Sequence, residues 1–148
     1  KRGELITHDK DKAVLTLMNL QAEVEKDFST VYPKDSLREM VKTVSKSKRN
    51  IFPVVNEKGE LEGVVLLDDI RQIMFQPDQY DQVFVNEIMR DYPAFISSKD
   101  HMDLVMEKFN TSGAWNLPVI DDGKYVGFVS KSKLFNAYRK VLQNFSDE

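Results

Sequence analysis

Residues 51–70 read IFPVVNEKGELEGVVLLDDI, and residues 116–134 read NLPVIDDGKYVGFVSKSKL. In each, a β-prone run built on Pro-Val meets a short polar turn with one glycine, then a second apolar run that ends in charged residues. Such runs flanking Glu57-Lys58-Gly59-Glu60 and Asp121-Asp122-Gly123-Lys124 predict two β-hairpins. A shift of 65 residues superimposes Pro53-Val54 on Pro118-Val119 and Lys34-Asp35 on Lys99-Asp100. Gly63 meets Gly127 at a shift of 64, because the second turn is one residue shorter. The chain is an internal repeat.

After each Lys-Asp comes an apolar i, i+3, i+4, i+7 stripe: Leu37, Met40, Val41, Val44, then Met102, Val105, Met106, Phe109. That period predicts the buried face of a helix. Asp35 or Ser36 starts the first, with Ser36 and Glu39 as a capping box, and Asp100 starts the second. Short β-prone runs, Ser29 to Tyr32 and Ala94 to Ser97, predict a first strand before each helix. Final helices over about 68–75 and about 131–143 turn Ile70, Ile73 and Met74, or Leu134, Phe135, Tyr138 and Leu142, inward.

The predicted fold class is α+β, two β-α-β-β-α motifs. A single motif of ~60 residues is marginal alone, so the two are expected to pack sheet to sheet as a pseudo-twofold pair. The expected organisation is a short helical linker at 1–22, one motif at 23–78 and the other at 79–148. The segment Gln76 to Gln82, with Pro77 in it, joins the motifs.

The chain has 148 residues, 41% hydrophobic and 30% charged, enough to bury a core. Its 21 basic and 24 acidic residues are interspersed, for a net charge of −3, so no broad cationic field invites nucleic acid. The absence of cysteine excludes disulfides, thiol catalysis and thiolate metal sites. No apolar run reaches the ~20 residues of a membrane helix, and the start KRGELITHDKDK lacks a signal peptide's apolar core. These residues are expected to be soluble, and a start at Lys1 is expected of a piece of a longer polypeptide.

The motifs resemble the CBS family in its paired form, the Bateman module. The likeness rests on Phe52-Pro53-Val54-Val55 with Gly63 to Ile70, on Leu117-Pro118-Val119-Ile120-Asp121 with Gly127 to Leu134, and on the lead-in Val85-Asn86-Glu87-Ile88-Met89-Arg90. Arg2-Gly3-Glu4-Leu5 and Thr7-His8-Asp9-Lys10-Asp11-Lys12, before Ala13 to Met18, are similar to the stretch joining the membrane domain of bacterial CLC-type chloride channels and transporters to their cytoplasmic CBS pair.

The family resemblance implies an adenine nucleotide ligand, with a Ser or Thr near the phosphates and, three residues later, an Asp on the ribose hydroxyls. The first motif has Asp69 but Leu66 in the hydroxyl position; the second has Ser130 but Lys133 in the Asp position. On this pattern Lys133→Asp would complete the second copy.

Asp68 and Asp69 also suit the positive end of a helix dipole, a purely structural role. A carboxylate there accepts ribose hydroxyls and repels phosphate unless basic groups arrive from elsewhere. At the other helix start, Ser130-Lys131-Ser132-Lys133 sets cations where the dipole disfavours them by about 0.3–1 kcal/mol each. Either an anion on the free N–H groups relieves that conflict, or Lys131 and Lys133 point into screened solvent.

Tyr32 and Trp115 could each stack an adenine, fill core or meet a partner. Arg49 and Asn50 could reach phosphates or be merely solvated. His8 and His101 have no third group spaced to make either a catalytic base. No P-loop, dinucleotide loop or metal-ligand spacing is present.

The expectation is a regulatory module rather than an enzyme, with no metal and no required cofactor. It would lie on the cytoplasmic side of the membrane, as part of an integral membrane protein. Its ligand would be AMP, ADP or ATP, held by Asp69, Tyr32, Arg49, Ser130, Lys131 and Lys133. Its partners would be the membrane transport domain of the same polypeptide and a second copy in a homodimer. The rival expectations are a ligand-free dimerisation module and a CBS pair of an enzyme or a divalent-metal transporter.

Overall fold

The computed structural model describes residues 12–147, with side chains as far as residue 144. The elements are α1 (Leu20–Glu23), α2 (Leu37–Lys46), β1 (Ile51–Val55), β2 (Leu61–Leu66), α3 (Leu67–Ile70), α4 (Val85–Ile88), α5 (Met102–Ser112), β3 (Asn116–Asp121), β4 (Lys124–Ser130) and α6 (Lys131–Asp147). The fold is α+β, with two two-stranded sheets, β1-β2 and β3-β4. The chain forms two compact units. Of the described residues, one unit takes Lys26–Tyr92 and the hairpin end Ile120–Gly127; the other takes residues 12–25, Pro93–Val119 and residues 128–147. Packing therefore divides the chain differently from the sequence boundary at 78/79.

In the first unit, β1 and β2 pair antiparallel from Ile51↔Leu66 to Val54↔Gly63, with a register shift at Val55. Each edge of this hairpin carries a single-residue bridge, Val31 parallel to Val54 and Arg90 antiparallel to Val64. The expected first strand has shrunk to that one bridge at Val31. Proline lacks the N–H a ladder needs, so Pro53 contributes only its carbonyl, which accepts from the Val31 N–H at 3.0 Å. The second copy repeats this: Ile96 bridges Val119, and its N–H donates to the Pro118 carbonyl at 3.0 Å.

The capping box is present: the Ser36 hydroxyl accepts from the Glu39 N–H at 3.3 Å, and the Glu39 carboxylate from the Ser36 N–H at 3.2 Å. The Asp of each Lys-Asp has a different role. Asp35 accepts from the Tyr32 N–H and Asp100 from the Ser97 N–H, both at 2.9 Å, closing the turn before the helix. Asp100 is thus no helix cap; the N-cap of α5 is His101, which makes no side-chain capping bond.

Leu37, Met40, Phe52, Val54, Val65, Ile70 and Val85 form the first unit's core with Val31. Val85, expected to lead into the second motif, lies in this core. The joining segment is equally tied down. The Val83 carbonyl accepts from the Leu37 N–H at 2.8 Å and the Tyr80 carbonyl from the Arg38 N–H at 3.0 Å, satisfying two otherwise orphaned donors at the start of α2.

The final helix expected over 68–75 is broken into α3 and a 3-10 turn at Ile73–Phe75. Pro77 holds Gln76 at φ −113°, ψ 86°, outside the helical region, so the helix stops before it. No proline interrupts α6, which runs to Asp147. In the second unit, Met102, Val105 and Phe109 on α5 are buried together with Leu117, Val119, Phe128 and Leu134.

Candidate functional site

The first site lies where β2 runs into α3. The Leu67 N–H donates to the Asn50 carbonyl at 2.9 Å, fixing the start of the helix that carries Asp69. Asp68 turns outward to Arg71 at 2.6 Å. Neither carboxylate caps α3, so the local capping role is not the one they serve.

Asp69 instead receives a fork from Arg90, Nε to Oδ2 at 2.5 Å and Nη2 to Oδ1 at 2.6 Å. Hydrogen bonding to Asp69, then its charge, raises the Arg90 pKa further above its ordinary value. The backbone holds this geometry. Arg90 and Val64 exchange N–H to carbonyl bonds of 2.8 and 2.9 Å, and a Cβ on Gly63 would lie 2.8 Å from the Arg90 carbonyl oxygen. Only a glycine lets the segment come this close.

The second site repeats the framework. The Lys131 N–H donates to the Trp115 carbonyl at 2.9 Å, and the Ser130 hydroxyl accepts from the Lys133 N–H at 3.4 Å. Lys131 sits over the Trp115 ring at 5.2 Å and the Phe135 ring at 5.7 Å. Glu25 exchanges backbone bonds of 2.8 and 2.9 Å with Phe128, and its carboxylate lies 3.3 Å from the Lys133 ammonium. The cations at this helix start are thus met by a carboxylate and two ring faces of the chain itself.

Tyr32 is half exposed and lines a groove of about 700 Å³ with Lys34, Asp35, Asn56, Glu57 and Lys58; Asp69 is not among the lining residues. Arg49 is held by Asp27 and lies 4.3 Å over the Phe28 ring, so its charge is already matched within the chain. Burial raises the nearby Tyr125 phenol above its ordinary pKa, with Asp27 adding to the shift and Arg49 opposing it. Trp115 is exposed rather than core-filling, at 68%. His101 is exposed, and His8 and the segment 2–11 lie outside the described residues. Among the described residues no cluster of His, Asp or Glu could hold a metal ion, and no helix is long and apolar enough to cross a membrane.

The model of the CBS domain matches residues 22–75 and 85–140. The chain belongs to the CBS family.

Among relatives of this CBS pair, a Methanocaldococcus jannaschii protein named L-aspartate semialdehyde sulfurtransferase is 30% identical over 114 residues, covering 72% of the chain and 21% of that protein. The chain spans about a fifth of the length of the curated relatives it matches. Two solved structures share its fold with a TM-score of 0.72. The CBS domain of a CBS-domain-containing membrane protein from Sphaerobacter thermophilus, 17% identical, covers 93% of this chain and 98% of its own. CbpB in complex with c-di-AMP, 16% identical, covers 94% and 96%.

Of the residues singled out by sequence, the structure groups Ser130, Lys131 and Lys133 at one helix start, leaves Asp69 at the other, and sets Tyr32 and Arg49 in surroundings of their own. Arg90 and Glu25 were not singled out. Their shared signal is the 65-residue shift that relates them to each other.

Proposed function

We propose that this CBS pair is the regulatory module of a membrane transport protein of CLC type. It works on the cytoplasmic side and biases the transport domain of the same polypeptide by binding an adenine nucleotide, AMP, ADP or ATP. The observation that carries this reading is Asp69. It stands in the family's ribose position with a 25% exposed side chain and a cation, Arg90, beside it. A hydroxyl acceptor and a phosphate partner are then adjacent. The adenine dinucleotide in CbpB supports the ligand class, and the Sphaerobacter membrane protein supports the setting.

Regulation requires the ligand to bind one arrangement of the protein more tightly than another, since equal affinity shifts nothing. Catalysis in this reading belongs to other parts of the polypeptide. Two copies associate through apolar surface that each unit leaves: half-buried Ile73 and Met74 with exposed Phe75 on one, and half-buried Phe135 and Tyr138 with exposed Trp115 on the other. A second reading, the regulatory part of an enzyme, is favoured by the 30% identical relative, which carries an enzyme's name.

Calorimetric titration with AMP, ADP and ATP tests the reading. Saturable binding of at least one is expected. Binding of none would leave the ligand-free dimerisation module in its place, and light scattering across a concentration series reads the dimer separately.

A further inference from the structure

We infer that Arg90 decides the ligand class of the Asp69 site, selecting a phosphate-bearing nucleotide over the bare nucleoside. The inference rests on the nucleotide reading above and concerns a residue outside the motif that carried it.

A lone carboxylate on α3 would attract hydroxyls and repel phosphate. Arg90 changes that balance, because its fork places one N–H on each Asp69 oxygen and makes the pair neutral as a whole. The groups are not used up. A guanidinium has five N–H donors and a carboxylate about four lone-pair sites, so the pair keeps both donors and acceptors.

Exposure gives the pair a direction. The Arg90 side chain is 59% exposed and that of Asp69 25%, so the cation is the outer partner. Phosphate meets the outer N–H groups, while ribose hydroxyls reach a carboxylate already shared with Arg90. The guanidinium also cannot drift away with the chain, since the Val64 bonds and the close approach over Gly63 fix its backbone. A nucleoside gains nothing from this cation and must share Asp69 with it. A nucleotide gains a charge-assisted contact that requires no rearrangement of the backbone.

The test is calorimetric titration of the wild type, Arg90→Gln and Arg90→Lys with adenosine and with AMP at fixed salt, folding being checked by circular dichroism. The wild type should prefer AMP by about tenfold, the lower end for hydrogen bonds to charged groups. Arg90→Gln should lose that preference with adenosine affinity kept or increased, and Arg90→Lys should keep part of it. An unchanged AMP-to-adenosine ratio in folded Arg90→Gln, or a wild type that binds both equally, overturns the inference. A salt series on the wild type needs no variant: AMP affinity should fall between roughly 0.05 and 0.3 M salt while adenosine affinity holds, and salt-insensitive AMP binding overturns the inference. A folded wild type that binds neither ligand, nor any other adenine nucleotide, instead removes the nucleotide reading, and this inference with it.

Discussion

The Lys133 ammonium lies 3.3 Å from the Glu25 carboxylate, in the place where the first motif sets Arg90 against Asp69. The repeat relates Arg90 to Glu25 and Asp69 to Lys133, so the ion pair recurs with its charges exchanged. In both copies the carboxylate is the more sheltered partner, 25% exposed for Asp69 and 14% for Glu25. Lys133 therefore matches Glu25 rather than leaving the second motif merely defective.

Lys133→Asp alone is expected to destabilise the protein, because it turns an attraction into repulsion between two carboxylates; it does not simply complete the motif. Adding Glu25→Arg should recover the loss. A double-mutant cycle of the neutral truncations Lys133→Ala and Glu25→Ala, read by urea denaturation, should show a coupling of about 0.2–1 kcal/mol, the scale for an ion pair with one exposed partner. Strict additivity would show that the two side chains do not interact.

Gly63→Ala should cost about 1–3 kcal/mol, the range for an overpacked contact. Its Cβ would meet the Arg90 carbonyl oxygen at 2.8 Å and the Met89 sulfur at 3.3 Å. Hydrogen exchange at the Val64 and Arg90 amides should quicken as well, and unchanged stability and protection would contradict the close approach.

The two helices that follow the Lys-Asp pairs should differ. Ser36→Ala removes a capping box and should cost about 1 kcal/mol in denaturant unfolding. His101→Ala removes a side chain that caps nothing and should change stability by less than about 0.5 kcal/mol. Equal costs would mean that the copies start their helices alike.

These contrasts mark what the sequence makes legible. Period and spacing reveal α2, α5 and both hairpins, because the stripes beginning at Leu37 and Met102 and the turns at Gly59 and Gly123 are local signals. They overstate the first strands, since single residues, Val31 and Ile96, do the bridging beside proline. They also treat 76–82 as a plain linker, although the Tyr80 carbonyl within it caps α2. The family pattern singles out Asp69 and Ser130 by spacing alone. Arg90 is 21 residues from Asp69, and only folding brings the two together. No local pattern marks such a pair.

Acid titration should single out Asp81. A hydrogen bond from Arg38, assisted by its charge and opposed by desolvation, holds this carboxyl below its ordinary pKa of 3.8. The stabilisation is therefore present above that value and is lost as pH falls through the lower, folded-state pKa. Carboxyl NMR should show the Asp81 midpoint lowered in the wild type and moved back up in Arg38→Gln; identical midpoints would exclude the pair in solution.

Whether Asp69 holds the ribose of an adenine nucleotide is tested most directly by calorimetric titration of wild type and Asp69→Ala with adenosine and AMP. Asp69→Ala should weaken adenosine binding by about 1.5–3 kcal/mol, the range for hydrogen bonds to a charged group, and AMP binding in the same direction. Unchanged affinity for both ligands in a folded Asp69→Ala, with binding present in the wild type, would place the nucleotide elsewhere and contradict the role assigned to Asp69.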